Sequence, residues 1–244
     1  MKTLKIKQIA GLAVMLTFLL TLQSGCTYAF HGIKGNGNVV KQERQISSFN
    51  SLEVGGAFRV ILTQGDKESL TVEADENLLE VIKTSVVGNR LKISTTEDIS
   101  NSEALNIYLT ITDLKEMEIS GACKLSCENK IKLNDLDMEC SGASDVELKL
   151  AANNLDLDFS GASQVDMFGS ANEVSLDLSG ASDLDALEME TDKFSADISG
   201  ASHAKIFVKS ELSVNVSGAA SLQYKGEPRL IQTDVSGAGS LKKY

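Results

Sequence analysis

Leu155-Asp156-Leu157-Asp158-Phe159-Ser160-Gly161-Ala162-Ser163-Gln164-Val165 holds the pattern that decides the fold. Apolar and acidic residues alternate up to Phe159, a small corner follows, and the next apolar residue arrives at Val165. The corner recurs: Ser-Gly-Ala begins at Ser120, Ser141, Ser160, Ser179, Ser199, Ser217 and Ser236, in steps of 21, 19, 19, 20, 18 and 19 residues. Recurrence at such a period marks a stacked-repeat architecture.

Alignment on the serine exposes columns. Immediately before it stand Ile119, Cys140, Phe159, Leu178, Ile198, Val216 and Val235, all apolar. One place earlier come Glu118, Glu139, Asp158, Asp177, Asp197, Asn215 and Asp234; another place back the column is again mostly apolar, from Met117 and Met138 to Val214 and Thr233. Alternation of period two is the signature of a strand with one buried face. Five places after the serine, Leu125, Val146, Val165, Leu184, Ala204, Leu222 and Leu241 start a second strand. Each unit thus reads strand, corner, strand, connection.

A unit of this size cannot bury its apolar face alone, but it can as one coil of a solenoid, stacked about 4.8 Å from the next. The expected fold is all-β, a single-stranded parallel β-helix with coils of about 19 residues, and the preference of parallel crossovers favours the right-handed form. At the corner, Gly supplies positive φ and close backbone approach. Stacked Ser hydroxyls can bond one another, and Ala is small enough for the inside of the bend. A β-sandwich or a propeller is the rival, and 19 residues is short for a propeller blade.

Upstream, residues 35–115 carry a weaker version of the pattern. Leu52-Glu53-Val54-Gly55-Gly56-Ala57-Phe58 resembles a degenerate corner with Gly55 in the serine position, and Glu76 to Lys83 suits a short helix or turn. This half is expected to continue the solenoid and cap its start, with regular repeats over 113–244.

Residues 1–25 have the form of a lipoprotein signal peptide: Lys2, Lys5 and Lys7, an apolar stretch from Ile9 to Leu22, then Ser24-Gly25-Cys26. Cys26 is the expected lipid attachment site, 26–34 a tether, and 35–244 the folded domain. A simple secretory cut after Ala29 is the rival. Loss of the three lysines takes the formal charge from −11 to −14. Such a surface repels nucleic acid, which is set aside as a partner. Cys123, Cys127 and Cys140 are expected as buried small hydrophobes, with a Cys127–Cys140 bridge as the rival.

With these residues in view the chain resembles the head GIN-domain family of auto-transporter adhesins, common as bacterial lipoproteins. The likeness rests on Gly35-Asn36-Gly37-Asn38-Val39-Val40, on Phe49, Leu52, Val54 and Ala57-Phe58, and on Leu62-Thr63-Gln64-Gly65. Val72-Glu73-Ala74-Asp75-Glu76-Asn77-Leu78-Leu79, the serial Ser-Gly-Ala turns and Tyr224-Lys225-Gly226 extend it over about 35–244. It implies a β-helical fold and export in a Gram-negative, Bacteroidetes-like cell. It brings no catalytic residue and no cofactor.

Three features invite a chemical reading. Glu118, Glu139, Asp158, Asp177, Asp197 and Asp234 would stack on one outer face as an acidic ladder, either a solvated face or a surface for cations or a cationic partner. His203 stands alone, in the position that Asp145, Gln164 and Asp183 hold in other coils, and reads as a surface residue. Ser-Gly-Ala lacks the arrangement of a nucleophile elbow. No motif selects a metal or a catalytic pair, and the chain has no Trp to form a sugar platform. The sequence therefore points to a non-enzymatic adhesin or binding module of the cell envelope. Such a module would be anchored through its N-terminal lipid, most simply at the outer membrane, and face an envelope protein or a glycan. A self-associating envelope scaffold, joined through its coil ends, is the alternative, and a polysaccharide-degrading enzyme comes third.

Overall fold

The computed structural model describes residues 32–244, so the segment expected as a signal peptide and Cys26 lie outside the described residues. The chain forms a parallel β-solenoid. Glu116–Gly121 pairs in parallel with Asp135–Gly142, whose strand pairs with Asp145–Phe159; that pairs with Gln164–Leu178, then Asp183–Ile198, His203–Val216 and finally Leu230–Val235. The corners stack residue on residue: Ser120 lies beside Ser141, and Cys140 beside Phe159.

After the corners at Ser141, Ser160, Ser179 and Ser199 the strand runs on without a break to the next corner. Asp145–Phe159 and Gln164–Leu178 are each 15 residues long and Asp183–Ile198 is 16. What the sequence offers as a connection is therefore strand as well. Small residues let it bend: Gly169 has φ +119°, and a Cβ there would collide with the carbonyl oxygen of Leu150 in the coil before.

Alternation dictates what is inside. Met138, Cys140, Leu157, Phe159, Leu176 and Leu178 are all buried, and the intervening Glu139, Asp158 and Asp177 face out. One apolar core extends from Phe49 to Leu222. At roughly 1.5–3 kcal/mol for each Val, Leu, Ile or Phe buried, these inward columns drive the stacking.

The corner differs from expectation in one respect. Its alanines, Ala122, Ala143, Ala162, Ala181 and Ala201, lie on the exposed side of the bend. The small inward residue is the next one: Cys123, Ser144, Ser163, Ser182, Ser202 and Ala220, all buried. The expected bonds between stacked hydroxyls are replaced in this inner column by backbone-to-hydroxyl bonds: the N–H of Ser163 donates to Oγ of Ser182 (3.3 Å) and that of Ser182 to Oγ of Ser202 (3.4 Å). The corner glycines adopt φ between +76° and +95° at Gly121, Gly142, Gly161, Gly180 and Gly200. A Cβ on Gly142, Gly161, Gly180 or Gly200 would strike the carbonyl oxygen of the corner glycine one coil earlier.

Residues 35–115 do continue the solenoid, with Gly55 beside Ser120 as the degenerate corner and a 3₁₀ turn at Glu76–Leu78. Antiparallel strands, for which the sequence pattern gives no sign, close its start. Arg90–Thr95, itself parallel to Ser51–Gly56, forms a hairpin with Ile82–Val87 through Gly88-Asn89. Ser69–Asp75 runs antiparallel to Leu105–Ile111 and carries Val39–Arg44 on its other side. Ile33–Lys34 already pairs with Ile99–Asn101, so the ordered sheet starts inside the span expected as tether. Asp75, fully buried, fastens this end: its carboxylate accepts from the N–H groups of Gly37 (2.6 Å), Glu103 (2.9 Å) and Ala104 (3.4 Å).

Gly161→Ala should destabilise the fold by about 1–3 kcal/mol from its φ alone, more once the clash with Gly142 is added. Ala162→Ser, on the exposed side, should shift stability by no more than about 0.5 kcal/mol. Urea denaturation of both variants checks this, and equal effects would contradict the corner geometry.

Candidate functional site

The strands that precede the corners form one outward face with three columns. The first holds Asp135, Asn154, Glu173, Lys193, Glu211 and Leu230; the second Asp137, Asp156, Ser175, Ser195, Ser213 and Gln232; the third Glu139, Asp158, Asp177, Asp197, Asn215 and Asp234. A groove of about 620 Å³ runs across the coils between the first two columns, bounded by Lys115 at one end and by Leu230 and Gln232 at the other. Its axis lies along the solenoid, so it suits an elongated ligand.

The columns differ in how they are satisfied. The first pairs within itself: Nδ2 of Asn154 donates to Asp135 (2.6 Å), and Nζ of Lys193 to Glu173 (2.6 Å). In the third, all six residues of the expected ladder stack in register. The structure lengthens that column upstream through Glu53, which lies beside Glu118, and Lys92, which lies beside Glu53. At that end the charges are met: Arg90 reaches Glu116 (3.1 Å), Glu118 (3.2 Å) and Glu53 (3.7 Å), and Lys92 pairs with Glu53. From Glu139 onward, none of the ladder carboxylates forms an ion pair among the described residues. Asn215, the one break in the acidic series, donates to Asp197 (2.7 Å).

This crowding shows in the proton affinities. Burial, then Asp156, Glu116 and Asp158, raise the pKa of Asp137; burial, then Asp197, Asp158 and Asp156, raise that of Asp177. On the neighbouring face burial, followed by Asp185, Asp145 and Glu147, raises Asp166. The carboxylates form rows, not clusters. Among the described residues no group of three or more His, Cys, Asp or Glu is arranged to hold a metal ion.

His203 is exposed, with Nδ1 2.8 Å from Oγ of Ser221 in a shallow depression that also holds Asp166, Asp183, Asp185 and Lys205. Asp183 precedes it in the column, but no carboxylate lies within ion-pair distance of the imidazole among the described residues. A serine and a histidine in contact do not act as nucleophile and base without an orienting third group. Cys123, Cys127 and Cys140 are free and buried, so the bridge between Cys127 and Cys140 does not form. Burial pushes the Cys140 thiol up to about 11, with Ser144 and Ser163 beside it. A thiol so placed is inert.

Sequence reading finds the third column and misses the groove beside it. Its signal is present in the run Ser175, Ser195, Ser213 two residues before the ladder. What the sequence does not show is that the face is hollowed between the first two columns.

Stability should follow these charges. A carboxylate whose pKa is raised by folding binds its proton more tightly in the native state, so Asp137, Asp166 and Asp177 add stability as pH falls through their raised values toward 3.8. The opposite holds for Glu73, lowered by hydrogen bonds from Asn106 and Tyr108, and for Asp75, where burial is outweighed by the N–H donors of Gly37, Glu103 and Ala104. Their stabilisation is present above 4.5 and 3.8 and is lost as pH falls below those values. The melting temperature should therefore rise from pH 7 into the mildly acidic range and fall again below about 3.8, as calorimetry across pH would record. A monotonic fall from pH 7 would contradict the ladder's charge state.

Comparison with known proteins accords with this geometry. The solenoid superposes on a protein of Bacteroides fragilis described as a "putative adhesin", with a TM-score of 0.81 and 21% identity over 87% of this chain and all of the other. A "putative lipid binding protein" of Parabacteroides distasonis (TM-score 0.70, 22% identity) covers 87% of this chain with 99% of its own. A "putative adhesin" of Parabacteroides merdae (0.68, 18%) covers 87% with 98%. No curated protein matches the chain. The family model described as "Putative auto-transporter adhesin, head GIN domain" matches residues 48–228, and the chain belongs to that family.

Proposed function

We propose that this chain is a non-enzymatic binding module of the bacterial cell envelope, held to the membrane by a lipid on Cys26 and engaging its partner along the groove face. The observation that carries the reading is the groove itself: it crosses several coils in register, with an apolar floor that includes Leu155, Val174 and Phe194 between rims of hydroxyl, amide and charged side chains. Such a surface repeats one set of polar contacts along an axis, which suits an extended polymer. The unpaired ladder along its side selects against anionic partners and for neutral or cationic ones. A hydroxyl-rich glycan of the envelope fits the lining, since hydroxyl, amide and carboxylate side chains all hydrogen-bond to sugar hydroxyls. Among the described residues no helix is long and apolar enough to cross a membrane, and the lipid would supply the attachment.

Rows of carboxylates without a matched acid and base argue for binding over hydrolysis, which needs two carboxyl groups placed for different roles. Glycan-array or envelope pull-down assays on the full chain test the reading. Ser195→Trp fills the groove from an exposed position and should weaken binding at least tenfold, about 1.4 kcal/mol, with the melting temperature unchanged. Binding that survives Ser195→Trp, or turnover of any captured polysaccharide, would overturn it.

A further inference from the structure

The two ends of the solenoid are built differently. At the N-terminal end antiparallel strands cover the core, and the inward residues Val72, Ile82 and Leu91 are fully buried. At the other end Leu230–Val235 pairs with Glu211–Val216 on one side, and no described strand lies beyond it. Its inward residues Ile231 and Val235 are 47% and 43% exposed, whereas their counterparts one coil back, Leu212 and Val216, are 1%.

The backbone is open as well. In each coil the inward residues turn their carbonyls toward the next coil: Leu178 accepts from the N–H of Ser199, and Val216 from that of Ser236 (both 2.9 Å). By strand alternation Ile231, Thr233 and Val235 present their N–H and C=O groups to the open edge, while Gln232 and Asp234 bond backward. Three apolar or half-apolar side chains and a row of unpaired backbone groups thus share one exposed strand, a template for strand addition.

We propose that this edge is covered by the same edge of a second copy, joined tail to tail about a two-fold axis through Thr233. In that antiparallel register Ile231 lies across from Val235 of the second copy, Thr233 from Thr233, and Gln232 from Asp234. Side-chain and backbone parity agree: each inward pair brings an inward residue opposite another, and each can exchange two N–H···O bonds because both members face the edge. The Gln232 amide meets the Asp234 carboxylate, so the acidic column does not meet its own image.

Charge favours this occupant and this approach. The chain carries a formal −11, and its flanks bear the acidic rows, so two copies repel side by side. The last segment differs, with Lys225, Arg229, Lys242 and Lys243 against Glu227 and Asp234. Lys243 is paired with Glu227, and Lys225 sits over the ring of Phe207, 4.6 Å from its centre. The cations of this segment outnumber its carboxylates, so the end lacks the acidic excess of the flanks, and it is the face on which two acidic molecules can meet. Because the opposite end is closed, association stops at two.

Sedimentation of the full chain in mild detergent tests this. The expected result is a concentration-dependent dimer that persists or strengthens as salt is raised. Thr233→Pro removes an edge-facing N–H while sparing the bonds to Glu211–Val216, and should weaken the dimer about 100-fold. Thr233→Cys should give an oxidised, covalently linked dimer that the unsubstituted chain does not form, a readout that holds even if proline disturbs the last coil. A monomer at every concentration would overturn the proposal. So would a dimer indifferent to Thr233→Pro together with no covalent dimer from Thr233→Cys, or salt-sensitive binding to anionic vesicles in place of self-association.

Discussion

Coil-to-coil hydrogen bonding in register is the constraint on which everything else here depends. A parallel ladder tolerates no slip at a position whose side chain must stay inside, because a shift of one residue would turn every apolar column outward. Successive coils nonetheless differ in length. The excess is taken up away from the corners, at the shifts between Asp166 and Phe168 and between Ala186 and Glu190, while the face from Lys193 to Ile198 keeps its pairing with Glu173 to Leu178. The groove lies on the face that is spared. Irregularity in one sector is what keeps the other periodic.

The same registration makes electrostatics a property of columns. A residue type repeated at one position becomes a line of like groups a strand spacing apart, and its energetics are set by its column neighbours more than by its own coil. The first column resolves this with alternating donors and acceptors; the third does not, and at Asp177 the neighbouring Asp197 and Asp158 add to the effect of burial in tightening its hold on a proton. Arg90 and Lys92 neutralise only the beginning of that line. Substitution of one ladder residue therefore acts on the coils before and after it, as Asn215 does on Asp197.

Much of this is legible because repetition makes a sequence its own alignment. The inward column from Ile119 to Val235, the outward column from Glu118 to Asp234 and the equivalence of Gly55 with Ser120 all follow from counting residues between corners. Three things are not. Ala162 reads as the inside of the bend on size, yet size alone does not say which way a corner residue points; the buried run Ser144, Ser163, Ser182 and Ser202 beside it is the better clue. The antiparallel closure escapes because Ile82–Val87 and Arg90–Thr95 alternate just as parallel strands do, and strand direction leaves no trace in periodicity. The groove escapes because a hollow that runs across several coils belongs to the stacked face as a whole, which a one-dimensional pattern does not encode.

The closed start has a kinetic meaning. Ile82–Val87 and Arg90–Thr95 join through a two-residue turn, the kind of local contact whose loop closure costs little entropy. Every later coil closes a loop of about one repeat onto a surface already in place, so assembly can advance coil by coil without long-range search. A chain that emerges N-terminus first presents its nucleus before its repeats. Each coil so added leaves an edge shaped to receive the next, and Leu230–Val235 keeps that shape.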